Sequence, residues 1–577
     1  MSAFLDIEGA FDNTPIRTLV EGLRAKEVDS TTVRWVQSML SSRVVRLDLL
    51  NTTLEVATVR GCPQGGVLSP LLWTLAVDGL LHKMAELRID TQGYADDLVV
   101  TVRGNCQSTL SDLMQRALNT INTWCGENEL SINADKTIIV PFTNKRKLDK
   151  LKPLVMNGTT IPFSTEVKYL GVTLDQKLTW NKHVDGTIQK ARSALAICCR
   201  LAGNRWGLKP KIALWLYTSI VRPIVSYASV AWYRKTTQKV TVMKLGSLQR
   251  TACVIVTGAM SSSPTAALEA ILNLPPLHLH LELEARSSML RIAGARRGNW
   301  LSQTLRLFKE SVYDIPVLGM PSDTMSPKFC PLKLYSVEIP KREDWSNSQI
   351  KWKEGSLRWY TDGSKSGSEV GCGVYGEAPR KSISLNLGRF CSIFQAEVYA
   401  ILECASINLQ SNYGNHTIYI HSDSQAALLA LTSDVTTSRL VENCRQLLNN
   451  LGARNKVVLR WVPGHAGVVG NEKADELARA GAKGKNYSPE PFCGIPKSLT
   501  RLTLKTYCHY KTIQLWRETT GLNHSKALIK AFSKKASSNA LALSRNQLRN
   551  LFNHSEEDTS KTGVLNASTA ASGVKKR

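Results

Sequence analysis

Apolar and polar positions along the chain change their period in blocks. Over 1–145, short strand-like runs such as LVVTVR and TIIVPF are interspersed with helical patterns and dense turn signals. Residues 146–310 read as mostly helical and strongly basic, for example KARSALAICCRLAGNRW. Over 311–355 the periodicity fades and Pro316, Pro321, Pro327, Pro331 and Pro340 follow one another closely. Prolines at that density forbid a continuous helix and remove ladder donors, so an extended linker is expected there. Strands and helices alternate again over 356–484. The remainder, 485–577, is a basic tail ending in SEEDTSKTGVLNASTAASGVKKR, small and polar enough to be partly disordered. No internal repeat is visible.

Candidate chemistry is densest in the fourth block. In LRWYTDGSKSGSEVGCGVYG two strand-like runs flank a Gly/Ser-rich turn, with Asp362 expected at the end of the first. FQAEVYAILECASINL reads as a helix with Glu397 near its start, and TIYIHSDSQAALLAL passes from strand to helix at Asp423. KVVLRWVPGH is a strand, and NEKADELARAGA a helix capped by Asn471 and carrying Asp475. Carboxylates at strand ends and in adjoining helices can converge on one sheet edge. Two divalent cations about 4 Å apart need such hard oxygen ligands to activate water and stabilise a leaving 3′ oxygen.

In order, TDGS, QAE, SDSQAAL and WVPGHAGVVGNEKAD resemble type 1 ribonuclease H. The resemblance implies a mixed five-stranded sheet with helices, and Mg²⁺ or Mn²⁺ at two ions per active site. It implies catalytic, metal-holding roles for Asp362, Glu397, Asp423 and Asp475, with His465 assisting proton transfer or product release. The implied reaction is endonucleolytic cleavage of the RNA strand of an RNA–DNA hybrid.

Near the N-terminus, FLDIEGAFD sets Asp6 at the end of an apolar strand, and QGYADDLVV sets Asp96 and Asp97 at a hairpin turn. Holding two carboxylates that close is costly unless a cation lies between them. In RGCPQGGVLSP, Gly61, Gly65 and Gly66 let backbone approach a ligand, Ser69 can cap, and Pro70 suits a first helical turn. These motifs, followed by LSINADKT and KYLGVTLD, resemble the palm of a reverse transcriptase of non-LTR, LINE-type retrotransposons. That family implies a right-hand polymerase: a ferredoxin-like palm over 1–145 and a helical thumb and connection over 146–310. Asp6, Asp96 and Asp97 would be its metal-site carboxylates, Gln64 and Gly65 would line the primer or nucleotide region, and Lys136 would sit near the triphosphate. RNA template, DNA primer and deoxynucleoside triphosphates are the implied partners; no small-molecule cofactor is. Met1 lies five residues before Asp6, so the fingers are expected to be missing and polymerisation impaired. Two other readings stay open: a non-catalytic nucleic-acid-binding remnant, or a complete reverse transcriptase if sequence lies upstream. The overall expectation is an α/β and α+β multidomain chain.

Charge agrees with a polyanionic partner. The 577 residues carry 73 Lys+Arg against 47 Asp+Glu, a net +26. Nucleic acid is the first candidate and lipid headgroups the second. Length and an ordinary 43% of hydrophobic residues exclude a peptide hormone, a fibrous repeat and a mainly disordered chain. No secretory signal or membrane span is read. The 13 cysteines, odd in number and without a CxxC pair, suggest a reducing compartment, hence nucleus or cytoplasm and no secretion. His278, His280 and Glu282 in LHLHLELE are expected to be structural. Trp206, Trp215 and Trp232, set among Arg205, Lys209, Lys211, Arg222 and Arg234, are read first as core and second as base-stacking groups.

Overall fold

Strand β1 (Ser2–Asp6) is the apolar run SAFLD, and its sheet partners bury it from both sides. The structure is a computed structural model describing residues 1–557 apart from 50–51, 149, 201–206, 295–314, 347–351 and 486–488. It contains two units, 1–189 and 190–577. In the first, a hairpin of β2 (Val44–Leu49) and β3 (Thr52–Ala57) precedes β4 (Asp90–Tyr94), β5 (Asp97–Thr101) and β6 (Ile138–Val140). The sheet order is β4-β5-β1-β6, antiparallel throughout. Helix α1 (Ser69–Glu86) joins β1 to β4 and helix α2 (Gln107–Glu127) joins β5 to β6, which is the ferredoxin-like βαββαβ plan. Leu72, Trp73, Ala76, Leu80 and Met84 of α1 share a buried core with Met114, Leu118 and Ile121 of α2. Their spacing of three and four residues is what puts them on one face. Each large side chain so buried contributes about 1.5–3 kcal/mol.

The first unit runs past the expected boundary at 145. β7 (Leu154–Met156) and β8 (Thr159–Ile161) form one hairpin, β9 (Glu166–Tyr169) and β10 (Val172–Asp175) another. Asn157 and Gly158 turn the first with φ 51° and 76°, and Leu170 and Gly171 the second with φ 44° and 78°. Two successive positive φ values give the turn that matches strand twist. The basic block is therefore helical only beyond these hairpins.

In the second unit, α3 (Lys239–Thr257) and α4 (Leu277–Gly294) belong to a helical assembly, and a six-stranded sheet follows. β11 (Thr324–Phe329) and β12 (Tyr335–Glu338) come from the stretch expected to be a linker. No proline lies between Pro331 and Pro340, so the LYSVE run keeps its ladder donors, and β12 pairs in parallel with β18 (Lys456–Trp461). Between them in sequence lie β13 (Leu357–Ser366), β14 (Glu369–Ala378), β15 (Lys381–Gly388), β16 (Thr417–Ser422) and β17 (Val435–Ser438). The sheet order is β12-β18-β16-β13-β14-β15, so the expected five strands gain a sixth. β11 pairs with β17, and Asp323 accepts hydrogen bonds from Ser438 Oγ (2.7 Å) and Leu440 N (2.9 Å). Those bonds pin the start of α6 (Arg439–Gly452), which packs with α5 (Ile393–Gln410) on one sheet face. α7 (Val469–Lys483) lies on β13, β14 and β15.

The tail is largely structured. α8 (Lys497–Glu518) buries Leu504, Cys508, Thr512 and Trp516, a stripe at every fourth residue. Leu504 joins Ala285 and Met289 of α4 in one core, and Trp516 packs with Ala267, Ala270 and Phe532. Residues 558–577 lie outside the described residues, as do Arg205 and Trp206. Trp232 is buried, as a core residue would be, while Trp215 is exposed. His278 and His280 sit half-buried in α4, and burial pushes His280 down to about 3. All 13 cysteines are free thiols. Among the described residues no helix is long and apolar enough to cross a membrane.

Candidate active site

Alternation along β13 sends Trp359 and Gly363 toward α5, and Tyr360 and Asp362 toward α7. Asp362 lies within the strand, opposite Gly373, because antiparallel pairing continues to Ser366 and the turn comes only at Gly367. Glu397 sits in the first turns of α5. Ser392 caps that helix: its Oγ accepts from Gln395 N (3.2 Å), and Gln395 Oε1 accepts from Ser392 N (3.0 Å). The reciprocal pair fixes where the helix begins, and so where Glu397 stands. A Cβ on Gly363 would come within 2.7 Å of Glu397 N, so glycine is what lets strand and helix meet here. Asp423 follows β16 directly, at the strand-to-helix junction. Asp475 rides on α7, which touches β14 backbone to backbone: a Cβ on Gly373 would lie 2.2 Å from Ala474 O.

Three of these acids converge. Asp362, Glu397 and Asp423 each offer an oxygen within 4.8 Å of the others. Asp362 and Glu397 are buried, at 6% and 5% exposure. Burial, then the charges of Asp423 and Asp475, push Asp362 up to about 7. Burial, then Asp362 and Asp423, hold Glu397 well above the usual carboxylate range. Asp423 is also raised, chiefly by burial, against the opposing effects of Asn471 and His465. Glu397 Oε2 is buried with no hydrogen-bond partner. Clustered, dehydrated carboxylates with an unsatisfied oxygen have the donor chemistry of a hard divalent cation site.

Asp475 stands apart from that group: Arg479, one turn on in α7, ion-pairs with its Oδ2, and His465 Nδ1 is 3.9 Å from the same oxygen. His465 is 79% exposed at its side chain and has a left-handed φ of 50°. Asn471, expected as a helix cap, lies inside α7, because the helix begins at Val469. Its Nδ2 instead points to Asp423 Oδ2 at 3.5 Å, while Trp461 Nε1 donates to Asp423 O at 3.0 Å. Gly464 leaves room beside Asp423 Oδ2, which a Cβ would meet at 2.7 Å. Arg479, and the place of Asn471 beside Asp423, are what sequence reasoning missed. Only the i,i+4 spacing of Asp475 and Arg479 could have suggested the first.

In the first unit Asp6 and Asp97 are direct cross-strand partners, with Asp96 at the turn. Burial, then Asp96 and Asp6, raise Asp97. Lys136 Nζ lies 3.1 Å from Asp6 Oδ2, so it is the counter-ion of that carboxylate. With that cation in place, Asp6, Asp96 and Asp97 do not form a three-oxygen group among the described residues. Gln64 Nε2 donates to Asp12 Oδ2 at 2.8 Å. Gly65 has φ +81° and open space where a Cβ would be. Ser69 is the first residue of α1 and does not cap it; its Oγ donates to Pro63 O at 2.6 Å.

Two family models match the chain: reverse transcriptase (RNA-dependent DNA polymerase) over residues 1–174, and RNase H over 354–483. Over 288 residues the chain is 27% identical to the 115 kDa protein in type-1 retrotransposable element R1DM of Drosophila melanogaster, covering 49% of this chain and 27% of that protein. It is 26% identical over 223 residues to a retrovirus-related Pol polyprotein from type-1 retrotransposable element R1 of Nasonia vitripennis, covering 38% and 66%. With the RNA-directed DNA polymerase from mobile element jockey of Drosophila funebris it shares 29% identity over 290 residues, covering 48% and 30%. The chain thus spans about a quarter to two thirds of these relatives. The chain carries a reverse-transcriptase domain followed by an RNase H domain, and it is similar to the R1 and jockey proteins of non-LTR retrotransposons.

Proposed function

We propose that the second unit hydrolyses the RNA strand of RNA–DNA hybrids, and that the first is the palm of an RNA-directed DNA polymerase. The observation carrying the first reading is the group of Asp362, Glu397 and Asp423, with the unsatisfied Glu397 Oε2 inside it. These three, with Asp475, would hold Mg²⁺ or Mn²⁺, two ions per site. Such ions supply an activated water and neutralise charge at the scissile phosphate and the departing 3′ oxygen. Asn471 and the Trp461 indole orient Asp423. His465, solvent-accessible beside Asp475, carries a proton at its imidazole to or from the departing oxygen. The 2′-OH marks the strand to be cut.

In the palm, Asp6, Asp96 and Asp97 are the matching metal ligands, and Gln64 and Gly65 line the primer and deoxynucleoside triphosphate region. Lys136, now paired with Asp6, would be free to meet the triphosphate if a cation held that carboxylate instead. The family match over 1–174 supports this reading, with RNA template and DNA primer as partners.

Incubation with a labelled RNA–DNA hybrid and Mg²⁺ tests the nuclease. Cleavage is expected in the RNA strand only, and Asp423→Asn should lower its rate at least about a hundredfold, as loss of a positioned group does. Absent cleavage, or cleavage unchanged in Asp423→Asn, rejects the assignment. Extension of a primed RNA template, lost in Asp97→Asn, is the corresponding test of the palm.

A further inference from the structure

The fourth acid of the cluster has a cation of its own. Arg479 and Asp475 are one turn apart on α7, with the guanidinium on Asp475 Oδ2. That oxygen also faces His465 Nδ1 at 3.9 Å. Asp362, Glu397 and Asp423 gather their oxygens within 4.8 Å, and Asp475 is outside that group. The Asp475 side chain is 17% exposed whereas that of Arg479 is 57% exposed. The arginine can therefore swing into solvent at little cost, and the carboxylate cannot. The guanidinium also favours the ionised form of Asp362.

We propose that Arg479 is a positioning residue and a built-in competitor for divalent cation: it neutralises Asp475 until a metal ion displaces it, and so sets how tightly the Asp475 side of the site is loaded. This rests on the reading of the four acids as metal ligands. Removing the guanidinium leaves Asp475 without its partner and available to the incoming ion. A partly exposed ion pair is a weak competitor, so the gain should be about three- to tenfold in metal affinity.

Calorimetric titration of the chelator-treated full chain with Mn²⁺ reads this without turnover. Arg479→Gln should bind Mn²⁺ about three- to tenfold more tightly than the parent. Arg479→Lys, which keeps the charge but loses the planar two-point donor, should fall between the two. Lys483→Ala removes one exposed cation a turn further along α7 and should leave affinity unchanged. Equal affinities for Arg479→Gln and the parent, or an equal gain in Lys483→Ala, overturn the proposal. A parent that binds no Mn²⁺, or binds it as well when Asp362 is changed to Asn, rejects the metal-site reading itself. Circular dichroism of each variant at the titration temperature confirms that folded protein is being compared.

Discussion

Glu269 shows how one buried acid sets a pH response away from the carboxylate cluster. It is 6% exposed, and Gln249 Nε2 donates to its Oε1 at 2.7 Å. Gln249 also donates to Pro275 O and accepts from the Tyr217 hydroxyl at 2.8 Å. Burial pushes Glu269 from 4.5 up to about 7, against smaller opposing effects of Gln249 and Arg222. The folded state therefore holds a proton that the unfolded chain releases. That contribution is fully present below pH 4.5, is lost as pH rises toward 7, and amounts to on the order of 3 kcal/mol. His280, pushed down to about 3 by burial and then Arg222, has the opposite sign and destabilises as pH falls below its usual 6.5. Glu269→Gln should therefore gain on the parent from pH 4.5 to 7 and hold a constant lead above that. Denaturant melts across this range measure it, and a lead independent of pH would refute the account.

Among elements, the contact of α7 with β14 decides where Asp475 stands. Gly373 has Ala474 O and Ala478 N at 2.2 and 2.5 Å from the place of a Cβ, and both are backbone atoms that cannot rotate aside. Gly373→Ala should push α7 off the sheet and carry Asp475 with it. Hybrid cleavage should drop about tenfold or more while Asp362, Glu397 and Asp423 stay together, a displacement of order 1 Å being enough. A variant with parental cleavage would show that the contact does not set the site. The acids themselves were legible in sequence through the order of TDGS, QAE, SDSQAAL and WVPGHAGVVGNEKAD, which lie in strands and helices of clear periodicity or, for Asp423, between them. Their exact settings were not. Asp362 reads as a strand end because GSKSGS looks like a turn, yet pairing with β14 extends the strand through it. Asn471 reads as a cap because it precedes the helical pattern, but the helix starts two residues earlier. The hairpins at Asn157–Gly158 and Leu170–Gly171 were hidden inside a block judged by its charge. The tail was judged by its polarity, though Leu504, Cys508 and Trp516 form a buried stripe only where α4 and Phe532 receive them.

At the scale of the whole molecule, β12 shows that the RNase H match and the folded domain have different limits. The match begins at residue 354, but β12 at Tyr335–Glu338 pairs along β18, and Asp323 holds the start of α6. A fragment of 354–483 would leave the β18 edge without its partner, presenting a row of N–H and C=O groups that can pair with another chain. Arg460 would lose its 2.7 Å bond to Glu338 at the same edge. Such a fragment should self-associate, whereas 321–496 should remain monomeric; light scattering at matched concentration distinguishes them. Monomeric behaviour of both would mean that the edge needs no cover. A four-residue strand from the segment between the two matched domains thus replaces six-residue β18 as the edge of the sheet, and a short edge closed off by Pro340 offers less to a second chain.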